Sequence, residues 1–143
     1  MRPQHADSPS TVCVSAPEWI GADLFRVTAP VHLPLGPEAS IAVAANTLVP
    51  IGGAHIGLGA ADGRTRAFWS ELAVAVLLGH SAVLGHLWHW SGLPVGFALH
   101  AVWDLLHHRK SLLARIPGWH VPLCVVYDPI AAAFLIVLCG IGM

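Results

Sequence analysis

The stretch LAVAVLLGHSAVLGHLWHWSGLPVGFALHAVW, Leu72 to Trp103, runs for thirty-two residues without an Asp, Glu, Lys or Arg. As one α-helix it would measure about 48 Å, against roughly 30 Å for the hydrocarbon core of a bilayer. It is too long for a single crossing, and Ser91-Gly92-Leu93-Pro94 interrupts it with helix-ending residues. We therefore read it as most of a helical hairpin, Phe68 to Trp90 and Leu93 to about His108, turning at one membrane face.

Working outward, Ile41 to Ala61 is a second charge-free run of twenty-one residues, long enough for a span of its own. Ile116 to Met143 carries a single charge, Asp128, and supplies another span at about 120–142. Inside hydrocarbon every backbone N–H and C=O must be satisfied within the structure, so such runs are helices or barrel strands. Barrel strands alternate apolar and polar residues. Leu72 to Leu78 and Ala131 to Leu138 are instead continuously apolar, which selects helices.

Composition agrees, with hydrophobic residues at 55% and charged ones at 10%, where soluble domains carry about 25%. The expected fold is all-α, a polytopic membrane bundle of four transmembrane helices in residues 41–143, with the lipid bilayer as its surroundings. A net charge of -1 gives no basic face to release counterions from nucleic acid, so that partner is set aside. Residues 1–40 hold six of the fifteen charges and six of the eleven prolines, and read as a polar, disordered tail. The tail lacks the basic, apolar and small-residue order of a cleaved signal peptide. Three cysteines without a C-x-x-C pair give no zinc-finger or disulfide framework.

Five of the seven basic residues fall in two places, Arg64 and Arg66 after the first span and Arg109, Lys110 and Arg115 after the third. By the positive-inside rule both loops are cytoplasmic, leaving both termini and the Ser91 to Pro94 turn outside a multi-pass cell-membrane protein. Trp69, Trp88, Trp90 and Trp119 lie near the proposed helix ends, where amphipathic rings suit the headgroup layer.

Counting from the cytoplasmic ends puts Glu71, His100, Asp104, His107, His108, Asp128 and His55 within about two or three turns of one depth. His100, Asp104 and His107, four and three residues apart, share a helix face; His120, Cys124 and Asp128 form a similar stripe, followed by the helix-weakening Pro129. Carboxylates in a membrane are costly and need partners. Imidazole and carboxylate also bind zinc, iron or manganese, which makes His100, Asp104, His107, His108 and Asp128 candidate ligands of a divalent transition metal. In a metalloenzyme, Glu71 and Asp104 would be the catalytic carboxylates, with Glu71 accepting a proton from metal-bound water. The alternative is a non-enzymatic protein that carries a metal or proton, or a partner subunit in which these residues form a packing network. A homo-oligomer or an unknown membrane partner is compatible with either. His80, His86 and His89 lie toward the opposite membrane face, where His86 and His89 suit aromatic-belt packing.

The segment His100-Ala-Val-Trp-Asp-Leu-Leu-His-His108 resembles the H-x-x-W-D-x-x-H-H motif of a bacterial family of small polytopic integral membrane proteins of unknown function. Cys124-Val-Val-Tyr-Asp-Pro-Ile-Ala131 is similar to that family's C-x-x-x-D-P-x-x-A element, and Glu71 to its intramembrane Glu. The likeness covers about Phe68 to Leu138 and implies a membrane bundle, with no reaction attached. Diiron membrane hydroxylases need several histidine boxes, whereas His107-His108 is one pair. No G-x-S-x-G elbow or H-E-x-x-H helix is present, and Gly52-Gly53 lacks the partners of a phosphate loop.

Overall fold

The computed structural model describes residues 16–107 and 113–142. Five helices make up the described residues: α1 (Pro17–His32), α2 (Pro37–Asp62), α3 (Thr65–Leu87), α4 (Gly92–His107) and α5 (His120–Gly142). Strands are absent among these residues, as the all-α expectation required.

One expectation needs correction. The tail extending to Ser40 contains α1, which packs along α5, and α2 begins at Pro37. Proline content does not exclude helix here, because Pro17 and Pro37 sit in the first turn of their helices, where a missing N–H costs nothing. Pro30 falls in the last turn of α1. Residues 1–15 and His108 lie outside the described residues. Among the described residues three helices, α2, α3 and α5, are long and apolar enough to cross a membrane; α4, described over 16 residues, about 24 Å, is shorter.

Neighbouring helices pair in the order α2–α3, α3–α4, α4–α5 and α5–α1, and α2 also touches α4. Small residues let them approach closely, as helices in lipid do. A Cβ on Gly59 would stand 2.9 Å from the Glu71 Cβ, and one on Gly52 3.2 Å from the Ala75 carbonyl. Gly85 and Gly92 meet at the α3–α4 turn, where a Cβ on Gly92 would lie 2.8 Å from the Gly85 nitrogen. Helix α2 ends where Gly63 takes φ 75°, the left-handed conformation glycine adopts without strain.

The interior has two zones. Leu48, Leu78, Leu93, Phe97, Tyr127 and Leu135 form an apolar core in one half, with Phe25 of α1 edge-on to Phe134 at 5.6 Å. In the other half the carboxylates Glu71, Asp104 and Asp128 are fully buried. Outside, Val76, Leu77, Val83, Val102, Ile136 and Val137 are exposed. A folded chain with buried carboxylates and an aliphatic exterior is compatible with lipid surroundings.

Helix α1 depends on Gly21, where any Cβ would press on the Leu123 carbonyl oxygen and backbone. Gly21→Ala is expected to cost about 1–3 kcal/mol, the usual penalty for overpacking. Thermal unfolding in detergent, with limited proteolysis of the α1–α2 connection, checks this; an unchanged melting temperature would refute the close fit.

Candidate metal centre

The polar half is assembled by four helices, each contributing from its buried face. On α2 the buried positions Leu48, Gly52, His55 and Gly59 repeat at helical spacing, so His55 points inward by the same periodicity that buries its apolar neighbours. Glu71 shares the buried face of α3 with Ala67, Val74 and Leu78. His100, Asp104 and His107 lie on one face of α4, as their spacing predicted, and His120, Cys124 and Asp128 line α5.

Glu71 is the most heavily used acceptor. Its Oε2 lies 2.7 Å from His55 Nδ1 and accepts from Trp103 Nε1 at 3.2 Å. Its Oε1 lies 2.7 Å from His107 Nε2 and accepts the Ala114 N–H at 3.4 Å. Asp128 plays the matching part on α5, with Oδ2 2.6 Å from His100 Nδ1. Two histidines are thus each held at Nδ1 by a buried carboxylate, which directs the other ring nitrogen.

Those other nitrogens converge. His55 Nε2 and His100 Nε2 face each other at 2.7 Å. Asp104 Oδ1 stands 3.8 Å from both, and Asp104 Oδ2 stands 3.9 Å from His120 Nε2. Among the described residues neither Asp104 oxygen has a hydrogen-bond donor, although both are buried. When each ring donates Nδ1–H to its carboxylate, the facing Nε2 atoms both present lone pairs. That arrangement is repulsive unless a proton or a cation lies between or beside them.

One donor atom each from His55, His100, Asp104 and His120 falls within a 4.8 Å group that could hold a metal ion. Two nitrogens bound to one tetrahedral zinc at 2.0–2.1 Å would be about 3.3 Å apart. The distances of 2.7 Å and 3.8 to 3.9 Å bracket that value. His55, His100 and Asp104 are fully buried, while the His120 side chain retains 13% exposure. A second group, His100, Cys124 and Asp128, shares His100, but its Nδ1 already engages Asp128.

The floor of this half is clasped by the two connections expected on one side. Arg64 forms a two-point ion pair with Asp62, at 2.6 and 3.0 Å, and donates to the Leu113 carbonyl at 2.7 Å. Asp62 also accepts the Arg115 N–H at 2.8 Å. The hydrogen bond that Arg64 donates to the Asp62 carboxylate raises the Arg64 pKa above its ordinary value.

Of the proposed ligands, His100 and Asp104 reach the centre. His107 is turned to Glu71, and Asp128 supports His100 from behind. Glu71 does not reach the centre, because the His55 ring stands between them and four donors occupy its oxygens. His55 and His120, which also reach the centre, were not among the expected ligands. Both carried a signal: His55 interrupts an otherwise apolar run, and His120 heads the stripe ending at Asp128. His80 bonds the Val76 carbonyl of its own helix, and His89 bonds Ser91, away from the centre.

Removing the Glu71 carboxylate leaves His55, His107 and Trp103 without their buried acceptor. Glu71→Ala is expected to destabilise the fold by about 3–5 kcal/mol, measured by denaturant unfolding in mixed micelles; a loss below about 1 kcal/mol would contradict this central role. No protein-family model, curated protein or solved structure matches the chain.

Proposed function

We propose that this chain is a multi-pass membrane protein whose helices α2 to α5 hold one divalent transition metal ion, zinc, iron or manganese. His55, His100, His120 and Asp104 are its ligands. Helix α4 crosses as the fourth span, its short length offset by packing between α3 and α5. The observation that carries the reading is the facing pair of Nε2 atoms on carboxylate-anchored histidines beside a buried, unpartnered aspartate.

Four protein donors complete a tetrahedral shell, the pattern of a retained ion; a water-activating centre keeps one position open. This favours a metal-holding or metal-carrying protein. The second reading is a three-histidine centre with Asp104 as general base, supported by its nearly equal distances to His55, His100 and His120. A metal there supplies Lewis-acid chemistry, and Asp104 would hold the proton of the reacting group.

Elemental analysis of detergent-purified protein tests the site. Wild type is expected to retain about one ion per chain, and His55→Ala and His100→Ala to lose it. Metal-free wild type, folded and exposed to zinc, iron or manganese without uptake, would overturn the proposal. Asp104→Asn separates the readings: lost metal marks a ligand, and retained metal with at least tenfold weaker activity on a hydrolysable substrate marks a base.

In this reading the α2–α3 and α4–α5 connections are cytoplasmic and the α3–α4 turn is outside. Cysteines at Thr65→Cys and Trp88→Cys, with native cysteines replaced, are expected to react with an impermeant maleimide from the cytoplasmic and outer sides respectively. The opposite pattern would invert the topology.

A further inference from the structure

Helix α1 runs parallel to α5, because their contacts climb together. Gly21 meets Leu123, Phe25 meets Tyr127 at 6.4 Å, and the His32 ring meets Phe134 at 5.5 Å. This register places Asp23 and Arg26 level with about Val125 to Asp128, roughly one to two turns inside the start of α5. Both charged side chains point away from the bundle, with 71% and 81% exposure. Their mutual contact is 3.7 Å, beyond hydrogen-bonding reach.

That placement conflicts with lipid surroundings. A charge at a helix centre costs about 2.5–3.5 kcal/mol on insertion scales, and such residues normally face protein or a water-filled cavity. Arg26 can extend its long stem toward the interface, but Asp23 has a single methylene and cannot. Ile20, Leu24, Val27 and Val31 are also exposed on α1, so charge and apolar surface form one outward face.

We infer that this face of α1 docks against α1 of a second copy of this chain, giving a parallel two-fold dimer. One acid and one base three residues apart are self-complementary under two-fold symmetry. Asp23 pairs with the partner's Arg26, and Arg26 with the partner's Asp23, while Val27 and its apolar neighbours close around them. The two reciprocal pairs replace one loose intrahelical pair and leave neither charge facing lipid. This inference rests on the membrane placement proposed above, extended to α1 lying along α5 within the bilayer, but not on the metal.

The test uses the full chain in detergent and in nanodiscs, with mass measured by light scattering. Wild type is expected to be a dimer; Asp23→Arg and Arg26→Asp are each expected to weaken it at least tenfold. The double reversal, Asp23→Arg with Arg26→Asp, is expected to restore the dimer. A membrane-embedded wild type that is monomeric, single reversals without effect, or a double variant that stays monomeric would each overturn the inference. The last two results would assign the face to a different occupant or the dimer to another surface. Metal content is read on the same samples and is expected to stay unchanged. Release of wild type from membranes by alkaline carbonate would overturn the membrane reading itself, an outcome distinct from a monomer that remains embedded.

Discussion

An ionised or strongly polar group buried without water must find a protein partner or a bound ion, and most of this bundle is organised around that requirement. Glu71, Asp104 and Asp128 are fully buried; both Glu71 oxygens and the Oδ2 of Asp128 meet histidines from other helices, while Asp128 Oδ1 has no partner among the described residues. The resulting links run between helices: Glu71 on α3 to His55 on α2 and His107 on α4, and Asp128 on α5 to His100 on α4. Asp104 stands apart, enclosed by three imidazoles at nearly equal distance with no donor among the described residues. Its buried carboxylate beside facing imidazole nitrogens is what turns a packing network into a candidate cation site.

The same requirement explains what was legible in the sequence. The charge-free runs Ile41 to Ala61 and Leu72 to Trp103, and Ile116 to Met143 with its single Asp128, announced apolar helices, because they hold too few charges to cover a water-facing surface. The spacing of His100, Asp104 and His107 fixed a shared face of α4 before any tertiary contact was known. Which nitrogen points to which partner depends on how helices rotate against one another, and one strand of sequence carries little of that. Hence His107, expected at the centre, turns its ring to Glu71, and His55, not expected as a ligand, faces His100 there. Helix α1 was hidden for a different reason, since prolines were counted without regard to their position in a helical turn.

The division of the interior also has a packing logic. Where the bundle is apolar, Phe97, Tyr127 and Leu48 fill the space and glycines appear at helix contacts such as Gly85 and Gly92. Where it is polar, Gly59 lies against the stem of Glu71, so the α2 backbone braces the carboxylate that collects four donors. The Asp62–Arg64 clasp and the Ala114 N–H then tie the connecting segments to this end of the bundle. The candidate site is closed below by backbone and above by aromatic rings.

His55 engages neighbours through both ring nitrogens, one toward α3 and one toward α4. Helix α2 is otherwise apolar around most of its circumference, so hydrophobicity alone gives it little preference for one angular setting. Turning it by a single residue, about 100°, would swing the imidazole out of reach of both partners. In the proposed membrane placement, assembly would divide into insertion of the apolar segments and their later rotational alignment by this one ring. In that sense His55 acts as an indexing pin for assembly, whatever chemistry the finished centre performs.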